Sequence, residues 1–128
     1  MNILFVMIGG FLGACSRYLI GELVPPTRGF PIGTLSVNLI GCLCLGWLLT
    51  YITKQKNISP KIALLFGTGF IGSFTTFSTF SVEVVQLMEE GKFGLSVLYV
   101  LTSLIAGIIL SFLGYRLAKI SKMGEESQ

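Results

Sequence analysis

The chain contains no histidine and no aspartate. Histidine-based acid–base catalysis and histidine-ligated metal chemistry are thereby excluded. Charge of either sign is scarce: charged residues make up 12% of the 128 positions, about half the share of an ordinary globular domain. The nine Lys and Arg residues are scattered and form no basic stripe, which argues against a nucleic-acid binder. Cysteine is limited to Cys15, Cys42 and Cys44, all inside apolar runs, where a thiol behaves as a small buried hydrophobe. The Cys42-x-Cys44 spacing has no second pair and no histidine to complete a zinc site. Leu12-Gly13-Ala14-Cys15 has the form of a lipoprotein cleavage box, but no Lys or Arg precedes it, as such a signal requires. No nucleophile–base pair is available for an enzyme.

What the chain does have is length without charge. Residues 1–16, 29–53, 62–82 and 93–115 carry no ionisable group other than cysteine and tyrosine. A helix crossing the hydrocarbon core needs about 20 mostly apolar residues. Three of these runs reach that length, and the first does so if Arg17 lies at an interface. The expected fold is an all-α integral membrane protein, a single domain of four transmembrane helices at about 2–22, 32–53, 61–90 and 93–117, with a polar tail over 118–128. Pro25-Pro26, Arg28-Gly29 and Pro31 mark the first loop. The stretch from Lys54 to Pro60 reads as a short turn, with Ser59 as N-cap and Pro60 as the first helical residue. Gly91 ends the third helix. Four crossings put both termini on one side. That side holds six Lys and Arg residues against three on the other, a mild bias toward cytoplasmic termini.

The third helix stands apart. Gly67-Thr68-Gly69-Phe70-Ile71-Gly72 precedes Ser73-Phe74-Thr75-Thr76-Phe77-Ser78-Thr79-Phe80-Ser81. Each glycine weakens a helix by about 1 kcal/mol relative to alanine, and the hydroxyls compete for backbone carbonyls. The segment either packs tightly on a neighbour or is interrupted near its centre. Its Gly67-x-Gly69-x-x-Gly72 pattern lacks the strand and the later acidic residue of a dinucleotide site. Close packing by small residues explains it instead, as it does Gly9-Gly10-x-x-Gly13.

Several polar and aromatic residues carry two readings each. Asn38 is the one strongly polar side chain inside the second helix. It is either an interhelical hydrogen-bonding residue or a donor lining a polar path. Phe77 and Phe80 share a helix face. They either pack or turn electropositive ring edges toward a small anion. Tyr99, Ser103 and Gly107 form an i, i+4, i+8 stripe on the fourth helix, extended by Ser111, with Thr102 and Ala106 beside it. The stripe is either decoration or a hydrogen-bonding track. Glu22 and Glu83 end or interrupt apolar runs near an interface. No carboxylate lies deep in the first, second or fourth helix.

Taken together, Gly9-Gly10-x-x-Gly13-Ala14-x-x-Arg17-Tyr18, the lone Asn38, and Gly72-x-x-Thr75-Thr76-Phe77-Ser78-Thr79-Phe80-Ser81 resemble the Fluc-type (CrcB-like) fluoride channels over nearly the whole chain. The resemblance implies a passive fluoride-selective channel of the bacterial inner membrane, assembled as an antiparallel, dual-topology homodimer with two pores. It would assign Asn38, Phe77, Phe80, Ser78, Ser81, Tyr99 and Ser103 to the fluoride path. It would set a structural sodium ion at the dimer interface, on backbone oxygens of Gly72 and Thr75 from both subunits. Arg17 would act in a vestibule or in topology. The physics is compatible: one chain has too few helices to wall a pore and cover its own polar faces, and donors without Lys or Arg can bind an anion and still release it. Two features depart from the pattern. The six-to-three bias is larger than dual insertion calls for, and Gly107 and Ile109 stand where a longer hydroxyl track would carry Ser or Thr. The competing expectations are a small proton-coupled multidrug exporter, which needs a titratable group within the membrane, and a non-transporting membrane assembly protein.

The dimer is directly testable. Two copies fused through an additional transmembrane helix, which forces antiparallel halves, are expected to conduct fluoride in liposomes. Conduction only by a tandem joined through a soluble linker would overturn the antiparallel arrangement.

Overall fold

The computed structural model describes residues 2–54 and 58–125. All of its regular elements are helical. In chain order they are α1 (Asn2–Leu23), α2 (Ile32–Lys54), α3 (Pro60–Ala63), a π-helical stretch (Leu64–Ile71), α4 (Gly72–Phe74), α5 (Phe77–Glu89) and α6 (Phe93–Glu125). Four segments are long and apolar enough to cross a membrane: α1, α2, the run Pro60–Glu89, and the Phe93–Ser121 part of α6. The 22 residues of α1 rise about 33 Å, close to the hydrocarbon thickness of ~30 Å.

The helix ends follow local chemistry. Ser59 caps α3 by accepting the Lys61 N–H, with Pro60 at the first helical position. Of the turn before it, residues 55–57 lie outside the described residues. After α5, Gly91 takes φ +73°. The Lys92 N–H bonds the Leu87 carbonyl and the Gly91 N–H that of Met88, the paired closure of a left-handed C-terminal cap. Between α1 and α2, Thr27 and Phe30 exchange backbone hydrogen bonds of 3.1 and 2.9 Å. The two residues between them, Arg28 and Gly29, both have positive φ, as a tight hairpin turn requires. α6 continues past residue 117 to Glu125. Arg116 lies over the Phe112 ring and Lys119 over the Tyr115 ring, so both cations rest on aromatic faces of their own helix.

The helices meet through glycine. α1 packs on the π-helical stretch: a side chain at Gly9 would collide with the Leu65 carbonyl, and one at Gly13 with that of Phe70. Gly69 answers from the other side, its would-be Cβ 2.7 Å from the Val6 carbonyl oxygen. Gly67 and Gly72 have more room, so of the three glycines in that pattern only Gly69 makes a close backbone contact. α2 packs along α6, where Gly46 meets the Ser111 backbone and Gly114 meets that of Leu43. The buried interior is small: Val37, Phe74, Ile71, Leu87 and Tyr99 are its large members. Most other apolar side chains face outward, among them Ile105 and Ile108 on α6, as suits a chain whose surroundings are themselves apolar.

Gly114→Leu is expected to drive α2 and α6 apart and to cost more than the ~1–3 kcal/mol of ordinary overpacking, because backbone cannot yield. Gly21→Ala, where an added Cβ meets nothing within 4 Å, should leave stability unchanged or slightly raised. Thermal unfolding of the purified protein in detergent distinguishes the two.

Candidate functional site

The third crossing changes conformation at Thr75 and Thr76. Thr75 has φ −77° and ψ 154°, and Thr76 has φ −145° and ψ 123°, both extended. Helical geometry resumes at Phe77, where the Thr76 hydroxyl oxygen caps α5 by accepting the Thr79 N–H at 3.2 Å. In an unbroken helix the Thr76 N–H would donate to the Gly72 carbonyl, and the Thr79 N–H to that of Thr75. Both amides are engaged elsewhere, so both carbonyls have lost their helical donors.

Asn38 supplies what Thr76 needs. Its Nδ2 donates to the Thr76 carbonyl at 3.0 Å, and its Oδ1 accepts the Thr76 N–H at 2.8 Å. One side-chain amide thus pairs with both polar groups of one extended residue, as a neighbouring strand would. Arg17 serves the same region from α1, its Nε donating to the Ser73 carbonyl at 3.1 Å. Gly41, one α2 turn beyond Asn38, leaves the space into which the Thr75 methyl packs.

A groove of about 470 Å³ opens beside this junction, between α2, the start of α5, and α6. Asn38, Thr75, Phe77, Phe80 and Ser103 line it together, with Cys42 and Ser111. The Phe77 and Phe80 ring centroids are 6.1 Å apart. Phe77 is 81% exposed in the single chain, with Phe80 as its ring neighbour. The Ser103 hydroxyl is buried and has no hydrogen-bond partner.

The remaining candidates lie around the groove. Ser78 is exposed, its hydroxyl 3.3 Å from that of Thr76. The Ser81 hydroxyl donates to the Phe77 carbonyl. Gly72 is exposed on the near side of the junction. Arg17 lines a separate cavity of about 260 Å³ with Tyr18, Glu22, Thr34 and Thr79. Tyr99 is fully buried. Its ring centroid lies 4.9 Å from that of Phe80, which joins it to the groove through one aromatic contact.

Two residues gain significance only from the structure. Glu83 accepts the Tyr99 hydroxyl at 2.8 Å and the Thr34 hydroxyl at 2.7 Å. These donors come from α6 and α2, so sequence shows only a carboxylate near an apolar boundary. The second residue, Cys42, lies one turn after Asn38 on the same face of α2, a spacing that could have flagged it. Among the described residues no three His, Cys, Asp or Glu side chains cluster as metal ligands.

Asn38→Ala is expected to leave the Thr76 N–H and carbonyl without partners, at about 1–3 kcal/mol each for buried groups. The melting temperature in detergent should fall clearly. Asn38→Asp retains an acceptor for the N–H but loses the donor to the carbonyl, and should fall between the parent and Asn38→Ala.

Comparison with known proteins places the chain as a whole. The family model described as CrcB-like protein, Camphor Resistance (CrcB) matches residues 4–115. A protein of Oceanobacillus iheyensis named Fluoride-specific ion channel FluC is 52% identical over 125 residues, spanning 98% of this chain and 97% of its own. A Bacillus cereus protein named Fluoride-specific ion channel FluC 1 is 47% identical over 120 residues, covering 91% and 88%. Fluoride-specific ion channel FluC 2 of Geobacillus kaustophilus is 43% identical over 121 residues, covering 93% and 94%. With a family model across most of its length and relatives this similar end to end, the chain belongs to the CrcB-like family.

Proposed function

We propose that the protein is a passive fluoride channel of the bacterial inner membrane, working as an antiparallel, dual-topology homodimer. The observation that carries this reading is the groove in which Asn38, Phe77, Phe80 and Ser103 converge, in a chain similar end to end to proteins named as fluoride-specific channels. The groove holds amide, hydroxyl and ring-edge donors and no Lys or Arg. Such donors replace part of a small anion's hydration shell without trapping it.

Each residue has a physical part. Asn38 holds the Thr75–Thr76 junction open and offers its second amide hydrogen to the groove. Phe77 and Phe80 present ring edges, the positive part of the aromatic quadrupole. Ser103 adds a hydroxyl that no protein group claims. Ser78 and Ser81 extend the hydroxyl-bearing face of α5, and Tyr99 backs Phe80. Arg17 attracts anions into the neighbouring cavity while it caps the Ser73 carbonyl. A second copy covers the exposed Phe77 ring and completes the walls.

A structural sodium ion fits the same junction. The Gly72 and Thr75 carbonyls have lost their helical donors, and oxygen ligands of this kind suit a hard cation. Bound there, sodium would stabilise the junctions of both copies electrostatically.

Fluoride efflux from liposomes carrying the purified protein tests the function, with no efflux from folded dimer as the overturning result. Phe77→Ile and Phe80→Ile each keep an apolar side chain and remove the quadrupole. Flux should fall strongly while the dimer persists in detergent. Leu49→Ile, on an outward-facing position, should conduct like the parent. Full flux from both phenylalanine variants would reduce the rings to packing. A flux that runs only against a proton gradient and carries organic cations would instead favour the exporter.

A further inference from the structure

The groove is lined by more polar groups than it has donors to give. The Thr75 hydroxyl donates to the Ile71 carbonyl at 3.0 Å, and the Thr76 hydroxyl to Thr79 Oγ1 at 3.1 Å. The Ser111 hydroxyl donates across to the Cys42 carbonyl at 3.3 Å. Asn38 gives one amide hydrogen to Thr76. Among these lining groups three hydrogens stay uncommitted: the second amide hydrogen of Asn38, the Ser103 hydroxyl and the Cys42 thiol.

Their placement along the groove is uneven. On α6 the stripe Ser103, Gly107, Ser111 spans about 12 Å at 1.5 Å per residue. Gly107 brings no side chain to its middle, and Ser111 is occupied at its far end. The Cys42 sulfur stands at that gap: a Cβ added to Gly107 would lie 3.4 Å from Sγ. Cys42 is half-buried, lines the groove, and follows Asn38 by one turn on the same helix face. The buried, unpartnered Ser103 hydroxyl is an independent sign that this stretch awaits a ligand.

We propose that Cys42 is a lining residue of the ion path, its S–H supplying from α2 the donor that α6 lacks at Gly107. This rests on the groove being the fluoride path. A thiol is a weak donor to neutral acceptors, but a bond to an anion is strengthened by the charge. The donor sequence then runs from Asn38 through Ser103 to Cys42, crossing between α2 and α6. Weak terminal donation also suits an ion that must leave.

The experiment compares fluoride efflux from liposomes for four proteins: the parent, Cys42→Ala, Cys42→Ser, and the double variant Cys42→Ala/Gly107→Ser. Alanine removes the donor and adds no bulk to the groove, and flux should drop about tenfold, the effect of one lost hydrogen bond to a charge. Serine restores an O–H at the same place and should conduct better than alanine. The double variant moves the donor across to α6, into space the missing sulfur vacates, and should also recover flux at least about fivefold over Cys42→Ala. Size-exclusion elution as a dimer is required of each. Equal flux from the parent and Cys42→Ala overturns the proposal, as does a double variant and a Cys42→Ser variant both no better than Cys42→Ala. A parent that carries no fluoride overturns the channel reading itself, which separates the two failures.

Discussion

The two hydrogen bonds between Asn38 and Thr76 are what the rest of the site depends on. An extended residue inside a membrane-spanning segment leaves an N–H and a carbonyl without helical partners, and lipid offers none. Asn38 meets both with one planar amide. Because it projects from α2, the junction is tied to the helix that packs along α6, and the groove between them inherits its shape. Gly41 then permits the close approach of Thr75, and Arg17 holds the Ser73 carbonyl from the other side. A break that would otherwise unravel becomes a fixed feature with polar groups turned to one side.

The four crossings could be read from sequence because their physics is local. An uncharged run of sufficient length crosses, and Ser59-Pro60 and Gly91 mark ends by chemistry that acts within a few residues. The site was legible in part. Asn38, Phe77, Phe80 and Ser103 stand out as polar or aromatic residues at helical spacing, and they converge on one groove. What the amide of Asn38 bonds was not legible, since that depends on Thr76 leaving helical geometry 38 residues away. The Glu83 pairings with Thr34 and Tyr99, and the seat of Cys42 against Gly107, likewise arise from helix packing and not from spacing. The length of α6 past residue 117 escaped a count of polar residues, because Arg116 and Lys119 lie along aromatic faces of their own helix.

Glycine has two separate uses in this chain. At Gly9, Gly13, Gly46 and Gly114 it lets helices touch backbone to backbone, the means of association open to helices in lipid. At Gly29 and Gly91 it supplies positive φ for turns. Polar side chains are correspondingly few, and they are concentrated around the Thr75–Thr76 junction and the Glu83 pairings.

The cation–ring pairs near the end of α6 bear on vertical position. Arg116 over Phe112 and Lys119 over Tyr115 combine the two residue types that anchor helices at the membrane boundary. With that end held at the headgroups, the uncharged run 93–115 fills the hydrocarbon, and Ser103 falls almost at its midpoint. The depth at which the bilayer offers a hydroxyl no partner is thus the depth at which α6 carries Ser103, and a membrane of altered thickness, which acts on the interfacial ends of a helix, would leave this residue near the midplane.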